Sequence, residues 1–190
     1  MRSALILAIS IFSATAFASP NNFFGLQEFQ TQVMLQSQEA FNLEWKVGDN
    51  ANYDINMGFI KGKMNMSVRE EVSEGFWIEQ NMDLGFLGKQ KAEMLIDKYT
   101  GEILQFIVNG EKQDIPSQED QEVIDMKEAN VSVPAGSFDC VYLKVRNKKD
   151  NKESEAWVNP NLIPVSGLIK QVAPGPMGKV TVSLTSFNKN

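Results

Sequence analysis

One cysteine and no histidine limit the chemistry that this chain could carry. Cys140 is the only cysteine among 190 residues, and histidine is absent. A thiol without an imidazole lacks the usual general base of cysteine hydrolases, and zinc sites normally need several cysteine or histidine ligands. Cys140 falls in the middle of a predicted strand, where we interpret it as a packed structural thiol.

Carboxylates are the remaining candidates for chemistry. Several acids cluster in one stretch: Asp114, Glu119, Asp120, Glu122 and Asp125. Their spacing lacks the Asp-x-Asp-x-Asp-Gly pattern of a calcium loop, so we predict a solvated acidic connection without a metal. Glu70 and Glu71 would hydrolyse a glycoside only if the fold brought a second carboxylate to a defined separation. We therefore predict a protein that is not an enzyme and has no cofactor, with a paired-carboxylate hydrolase as the alternative.

The first eighteen residues have the features of a signal peptide. Arg2 precedes the apolar stretch Ala4–Ile11, which is too short to span a bilayer. Ala16-Phe17-Ala18 is a small-x-small cleavage site. No cysteine follows it that could carry the acyl anchor of a bacterial lipoprotein. We predict that residues 1–18 are removed, that no stable membrane span remains, and that the protein is periplasmic or secreted.

Residues 19–190 are expected to form a single domain with its own core. Without Arg2, the chain has 17 Lys and Arg residues against 24 Asp and Glu residues, a net charge of −7. The basic residues do not form a concentrated patch, which argues against a nucleic-acid partner.

Apolar and polar residues alternate with a period of two after Ala51. Tyr53, Ile55 and Met57 are separated by single polar residues, and the same pattern recurs as far as Asp83. This alternation is typical of strands with one buried face and one solvated face. Short glycine-containing turns separate about nine such strands. We predict a mainly β domain built on a curled antiparallel sheet, or half-barrel.

An amphipathic helix is predicted ahead of the strands, from about Phe24 to Gln36. Its apolar residues recur at spacings of three and four: Phe23, Leu26, Phe29, Val33 and Met34. Such a stripe must be buried, and the open face of the curled sheet is the available surface. The helix would act either as a lid or as a permanent plug.

Two segments of the C-terminal half carry a family resemblance. They are VPAGSFDC at residues 133–140 and EAWVNPNLIPVSGLIK at residues 155–170. They resemble an uncharacterised group of exported bacterial proteins in which a V-P-A-G-x-F turn precedes a strand and a W-x-x-P segment leads to a glycine. The resemblance covers residues 45–170 and implies a β half-barrel similar to periplasmic lipoprotein carriers. It implies no activity.

Eight apolar residues are predicted to lie on the inner face of the half-barrel as a ligand-binding surface. They are Met57, Phe59, Met64, Met66, Phe76, Ile78, Met82 and Met94. Thioether side chains are flexible and polarizable, so they suit an apolar ligand of variable shape, such as a lipid or the acyl group of a lipoprotein. The alternative is that the same residues only fill the core.

Trp77 is predicted to lie on the polar face, next to Glu79 and Asn81 in the alternation. An exposed tryptophan among polar residues can mark a contact with a partner.

The preferred hypothesis is an exported binding protein with an apolar ligand. The alternative is a structural or assembly partner of the cell envelope that contacts an envelope protein near Trp77 and has no small ligand.

Overall fold

The described residues form a single antiparallel sheet of eleven strands. The computed structural model of the protein describes residues 44–115, 121–148, 150–175 and 178–190. The strands are β1 (Asn50–Met57), β2 (Ile60–Glu71), β3 (Gly75–Asp83), β4 (Lys89–Asp97), β5 (Ile103–Val108), β6 (Glu111–Gln113), β7 (Gln121–Val133), β8 (Gly136–Asn147), β9 (Glu153–Val158), β10 (Leu168–Gly175) and β11 (Gly178–Asn188). A short 3₁₀ helix, Gly85–Leu87, connects β3 to β4. The predicted signal peptide and the predicted helix at Phe24–Gln36 lie outside the described residues.

The strand order is β6-β5-β4-β3-β2-β1-β11-β10-β9-β8-β7. Two meanders, β1 to β6 and β7 to β11, are joined where β1 pairs with β11. The two outer strands, β6 and β7, do not pair with each other, so the sheet is an unclosed half-barrel. The prediction of a mainly β, curled antiparallel sheet is confirmed, although the number of strands is eleven rather than about nine. No helix in the described ranges is long and apolar enough to cross a membrane.

The alternation predicted for β1 is present. Tyr53, Ile55 and Met57 are at most 2% exposed, whereas Asp54 and Asn56 face solvent. The same alternation continues through both meanders and produces one apolar cluster that spans the sheet. We refer to the apolar side as the inner face and to the polar side as the outer face.

Tyr53 ties the first strand to the connection between β9 and β10. Its hydroxyl lies 3.0 Å from the Ser166 hydroxyl and donates to the Leu168 carbonyl oxygen at 3.1 Å. The connection itself is buried at Ile163, Val165 and Ser166. Val165 has a φ of +70°, a value that β-branched residues rarely adopt, so its surroundings must hold it there. The connection is therefore part of the core rather than a surface loop.

The V-P-A-G-x-F turn closes a gap beside β11. β10 pairs with β11 only as far as Lys170 and Ser183, which leaves the next carbonyl of β11 without a β10 partner. The Ala135 N–H at the tip of the β7–β8 hairpin donates to the Leu184 carbonyl oxygen at 3.1 Å. The turn residues thus have a structural role.

The Tyr53 contact predicts a specific dependence of stability on pH. Burial raises the pKa of Tyr53 above its ordinary value of 10.0, and the hydrogen bond with Ser166 lowers it only in part. The Tyr53 hydroxyl ionises at a lower pH in the unfolded state than in the folded state. The free energy of unfolding therefore does not change through this group below pH 10, and it falls as the pH rises further. Tyr53→Phe should cost about 1 kcal/mol at neutral pH, since two polar partners lose a hydrogen bond, and should weaken the alkaline decline.

Urea unfolding at neutral pH and above pH 10 checks this prediction. Tyr99→Phe is the matched control, because the Tyr99 side chain is 84% exposed. Equal losses of stability in the two variants would show that the Tyr53 hydroxyl contributes nothing to the fold.

Candidate functional site

Seven of the eight predicted inner-face residues are buried, with at most 5% of each side chain exposed. They are Met57, Met64, Met66, Phe76, Ile78, Met82 and Met94, and all belong to one apolar cluster. They come from β1, β2, β3 and β4, where the alternation places their side chains on the same side of the sheet. That these residues bind a ligand stays a prediction.

Phe59 is not on the inner face, and its prediction as a lining residue is wrong. Its side chain is 78% exposed. The reason is local: Gly58 and Phe59 form the tight turn between β1 and β2, and Gly58 has a φ of +73°. The alternation ends at this turn. Phe59 is two residues after Met57 but therefore does not lie on the same face.

Strand register brings the methionines together. Met64 of β2 lies directly opposite Met82 of β3, and Met94 of β4 lies opposite Ile78 of β3. Directly opposed residues have Cβ atoms about 5 Å apart, close enough for side-chain contact. Thioethers and aliphatic carbons therefore lie next to one another across three strands, on either side of the buried Gln80 of β3.

Polar side chains on the inner face were missed by the sequence analysis. Gln80 and Gln171 are 0% exposed, and Ser154 is 1% exposed. Gln80 Nε2 donates to Met64 Sδ at 3.2 Å. Neither the Gln171 amide nor the Ser154 hydroxyl has a hydrogen-bond partner within the described part of the chain. The signal was available, because Gln171 alternates with Lys170 and Val172 and so takes a buried position in the predicted strand.

The outer face of β1 to β4 forms an open polar groove of about 890 Å³. Its polar lining residues are Asn52, Asp54, Lys63, Asn65, Asn81, Asp83, Lys89, Gln90, Lys91, Asn109 and Thr185. Lys89 lies 3.2 Å from Asp83, and Lys91 lies 2.8 Å from Glu79. The hydrogen bond from Lys91 lowers the pKa of Glu79, and the Gly85 N–H, followed by Lys89, lowers the pKa of Asp83. These carboxylates are therefore ionised ion-pair members rather than general acids.

Trp77 lies on the outer face, where the alternation places it, and is half-buried. The Arg69 guanidinium lies 5.2 Å from the centre of its ring. On the other side, Trp77 pairs with Leu95 of β4, which is only 5% exposed. Part of the ring is thus covered by the protein itself, and a contact between Trp77 and a partner stays a prediction.

The other chemically competent side chains occupy structural positions. Cys140 is buried and donates to the Ala129 carbonyl oxygen at 3.4 Å; burial, together with Asp139, raises the pKa of its thiol. A raised pKa makes the thiol a poor nucleophile at neutral pH. Glu71 forms an ion pair with Lys98 at 3.6 Å. Glu119 and Asp120 lie outside the described residues, and the described part contains no group of three potential metal ligands.

Comparisons with known proteins provide no family for this chain. No protein-family profile matches the sequence. No curated protein is significantly similar in sequence.

Several solved structures share a weak likeness. The hypothetical protein CT021 from Chlamydia trachomatis has 14% identity and a TM-score of 0.49, with 84% of this chain and 92% of that chain covered. A protein with a YmcC-like fold from Bacteroides fragilis has 12% identity and a TM-score of 0.42, with coverages of 78% and 99%. A chain of the Pseudomonas aeruginosa MucA/MucB complex has 8% identity and a TM-score of 0.47, with coverages of 85% and 56%. All three TM-scores lie below 0.5.

The buried Gln171 amide predicts a stabilising substitution. An amide without hydrogen-bond partners in an apolar interior costs about 1–3 kcal/mol. Gln171→Leu should therefore raise the free energy of unfolding by about 1 kcal/mol. Gln113→Leu, at a half-buried position in the edge strand β6, is the matched control and should change it by less than about 0.5 kcal/mol. A loss of stability in Gln171→Leu, measured by urea unfolding, would contradict this account.

Proposed function

We propose that this chain is an exported, non-enzymatic binding protein that holds an apolar ligand, such as a lipid or a lipoprotein acyl chain, on the inner face of its sheet. The observation that supports it is the methionine-rich surface on β2, β3 and β4, in which Met64 opposes Met82 and Met94 opposes Ile78, on either side of the buried Gln80. Leucine or isoleucine would fill a core with better-defined rotamers, whereas methionine adapts to irregular shapes.

Entry of a ligand requires movement of these side chains. The methionines of the inner face are at most 2% exposed, so the surface is closed to solvent in this structure. Methionine has three rotatable bonds beyond Cα and can vacate space without displacing a strand. The methionine side chains therefore adapt to the ligand, whereas the paired strands keep their positions.

Two further features support export and binding rather than catalysis. Residues 1–18 have the organisation of a cleavable signal peptide. The raised pKa of Cys140 and the paired Glu79 and Asp83 leave these groups poorly suited to nucleophilic or acid–base chemistry. The periplasm, or the space outside the cell, is the proposed location.

Native mass spectrometry of the protein exported under its own signal peptide tests the proposal. The wild type should carry adducts with lipid masses. The variant Met64→Leu/Met82→Leu/Met94→Leu conserves volume and should fold, but its less adaptable surface should bind a narrower set of ligands. Met126→Leu is the matched control, because Met126 is 55% exposed and lies away from this surface on β7.

The decisive negative result concerns the folded wild type. A clean unliganded mass, together with no uptake of a fluorescent fatty acid, would remove the apolar-ligand proposal. An identical adduct pattern in the wild type and the triple variant would place the ligand elsewhere.

A second candidate function is assembly with an envelope protein through the outer face. It is favoured by Trp77, which is half-buried on the face that carries the open polar groove. Trp77→Ala should then reduce capture of a partner from envelope extracts, whereas Trp157→Ala should not, because Trp157 already packs against Tyr142 at 5.1 Å. Equal capture by the wild type and Trp77→Ala would exclude this surface as the contact.

A further inference from the structure

Two exposed phenylalanines lie at the same end of the sheet. Phe59 belongs to the β1–β2 turn and Phe86 to the 3₁₀ helix between β3 and β4, and each side chain is 78% exposed. Met57 pairs with Ile60 at this end of β1 and β2, and Asp83 pairs with Lys89 at the same end of β3 and β4. Single exposed apolar residues are ordinary, but two large aromatic side chains on nearby turns form a patch.

The two turns are close together and well defined. Their strands are neighbours at about 4.8 Å spacing, so the turns are separated by roughly two spacings, about 10 Å. The 3₁₀ helix packs against the beginning of β2, since a Cβ atom at Gly85 would lie 3.9 Å from the Lys61 carbonyl oxygen. Asp83 Oδ1 accepts the Gly85 N–H at 3.0 Å and fixes the start of this connection. Both rings are therefore presented outward from structured turns.

Four lysines lie at the same end of the sheet as the two phenylalanines. Lys61, Lys63, Lys89 and Lys179 are exposed at this end of the sheet. Lys89 pairs with Asp83, whereas the other three have no ion-pair partner within the described ranges. The acids at this end are Asp54, Asp83 and Glu111 on the first meander, and Glu122, Asp150 and Glu153 on the second meander, where Arg146, Lys148 and Lys152 lie beside them.

The opposite end of the same strands is acidic. Its turns and strand ends carry the acids Glu44, Asp49, Glu70, Glu71, Glu74, Asp97 and Glu102 and the basic residues Lys46, Arg69, Lys98 and Lys189. A chain with a net charge of −6 thus presents four exposed lysines and the two most exposed phenylalanines of its described residues at one end of the sheet, opposite this acidic end.

We propose that this end of the sheet, defined by Phe59, Phe86 and the exposed lysines Lys61, Lys63 and Lys179, docks onto the surface of an anionic lipid membrane. Aromatic side chains on protruding turns can enter the boundary between headgroups and acyl chains. Lysines beside them contact anionic headgroups while their alkyl stems lie along the apolar region. The charge asymmetry would direct this end, rather than the acidic end, towards the membrane.

A membrane explains the arrangement better than a protein partner does. A stable protein interface needs a contiguous contact of about 800 Å² per partner, with a packed apolar centre. Here two separate ring tips project between charged residues, which suits a fluid surface that adapts to each tip. The inference is independent of whether the inner face holds a ligand.

Vesicle flotation of the exported protein tests this docking surface, after mass spectrometry has verified that residues 1–18 are absent. The protein should float with phosphatidylglycerol–phosphatidylcholine vesicles and not with phosphatidylcholine alone. Added salt should weaken the binding, because the lysine contribution is screened.

Matched variants locate the contact. Phe59→Ser/Phe86→Ser should reduce vesicle affinity about tenfold or more, since the burial of each phenylalanine is lost. Lys61→Gln/Lys179→Gln should reduce it about fivefold for each lysine removed. The controls are Tyr99→Ser, an 84% exposed aromatic at the acidic end, and Lys46→Gln, and neither should change the affinity. All four variants alter exposed side chains, so circular dichroism should confirm unchanged folding.

Three results would overturn the proposal. The first is that the wild type fails to float with anionic vesicles at low salt. The second is that the double phenylalanine variant floats as well as the wild type. The third is that the same variant binds vesicles normally but loses a crosslink to a protein, which would make this end a protein interface.

Discussion

The burial of one complete face of an eleven-stranded sheet is the constraint on which the rest of the structure depends. Successive side chains of a strand point to opposite faces, so every second residue in two meanders has to be compatible with an apolar interior. The Gln171 amide and the Ser154 hydroxyl have no hydrogen-bond partner at such positions within the described residues, whereas other buried polar groups have an internal partner. Tyr53 has one in the β9–β10 connection, and Gln80 has one in Met64. The interior is therefore apolar but contains a few specific polar contacts that join distant parts of the chain.

The same constraint explains why two turns carry the most exposed phenylalanines of the described residues. A turn ends the alternation, and its side chains are released from the two faces. Phe59 follows Gly58 in such a position, and Phe86 occupies the short 3₁₀ helix that replaces a tight turn between β3 and β4. Because neither ring is needed by the core, each is available for contacts beyond the chain. These two turn positions therefore offer surfaces for recognition, whereas the β9–β10 connection and the β7–β8 turn contribute to the fold.

Much of the fold could be predicted because period-two alternation is a strong local signal. The buried positions of Tyr53, Ile55 and Met57 in β1 follow from this residue pattern. β6 was not predicted as a strand, since three polar residues after Asn109-Gly110 show no alternation. The burial of the β9–β10 connection could not be predicted either, because it depends on a contact between Tyr53 and Ser166, 113 residues apart. Phe59 was misplaced because alternation was continued through a turn. The burial of the inner-face methionines could be predicted from the alternation. Ligand binding could not, because a packed core and a ligand cavity show the same alternation of apolar and polar residues.

The charge pattern of the molecule is fixed over the physiological pH range, and this constrains how its surfaces can be regulated. The chain has no histidine, which is the side chain that ordinarily changes charge between pH 5 and 8. The carboxylates Glu79, Asp83, Asp97 and Glu153 have lowered pKa values because hydrogen bonds and lysines favour their ionised forms. Burial keeps the Cys140 thiol neutral as well. The separation between a lysine-bearing end and an acidic end therefore persists through that range. Salt screens interactions between exposed charges that lie more than about 10 Å apart. Ionic strength is therefore the variable that would modulate association through these ends.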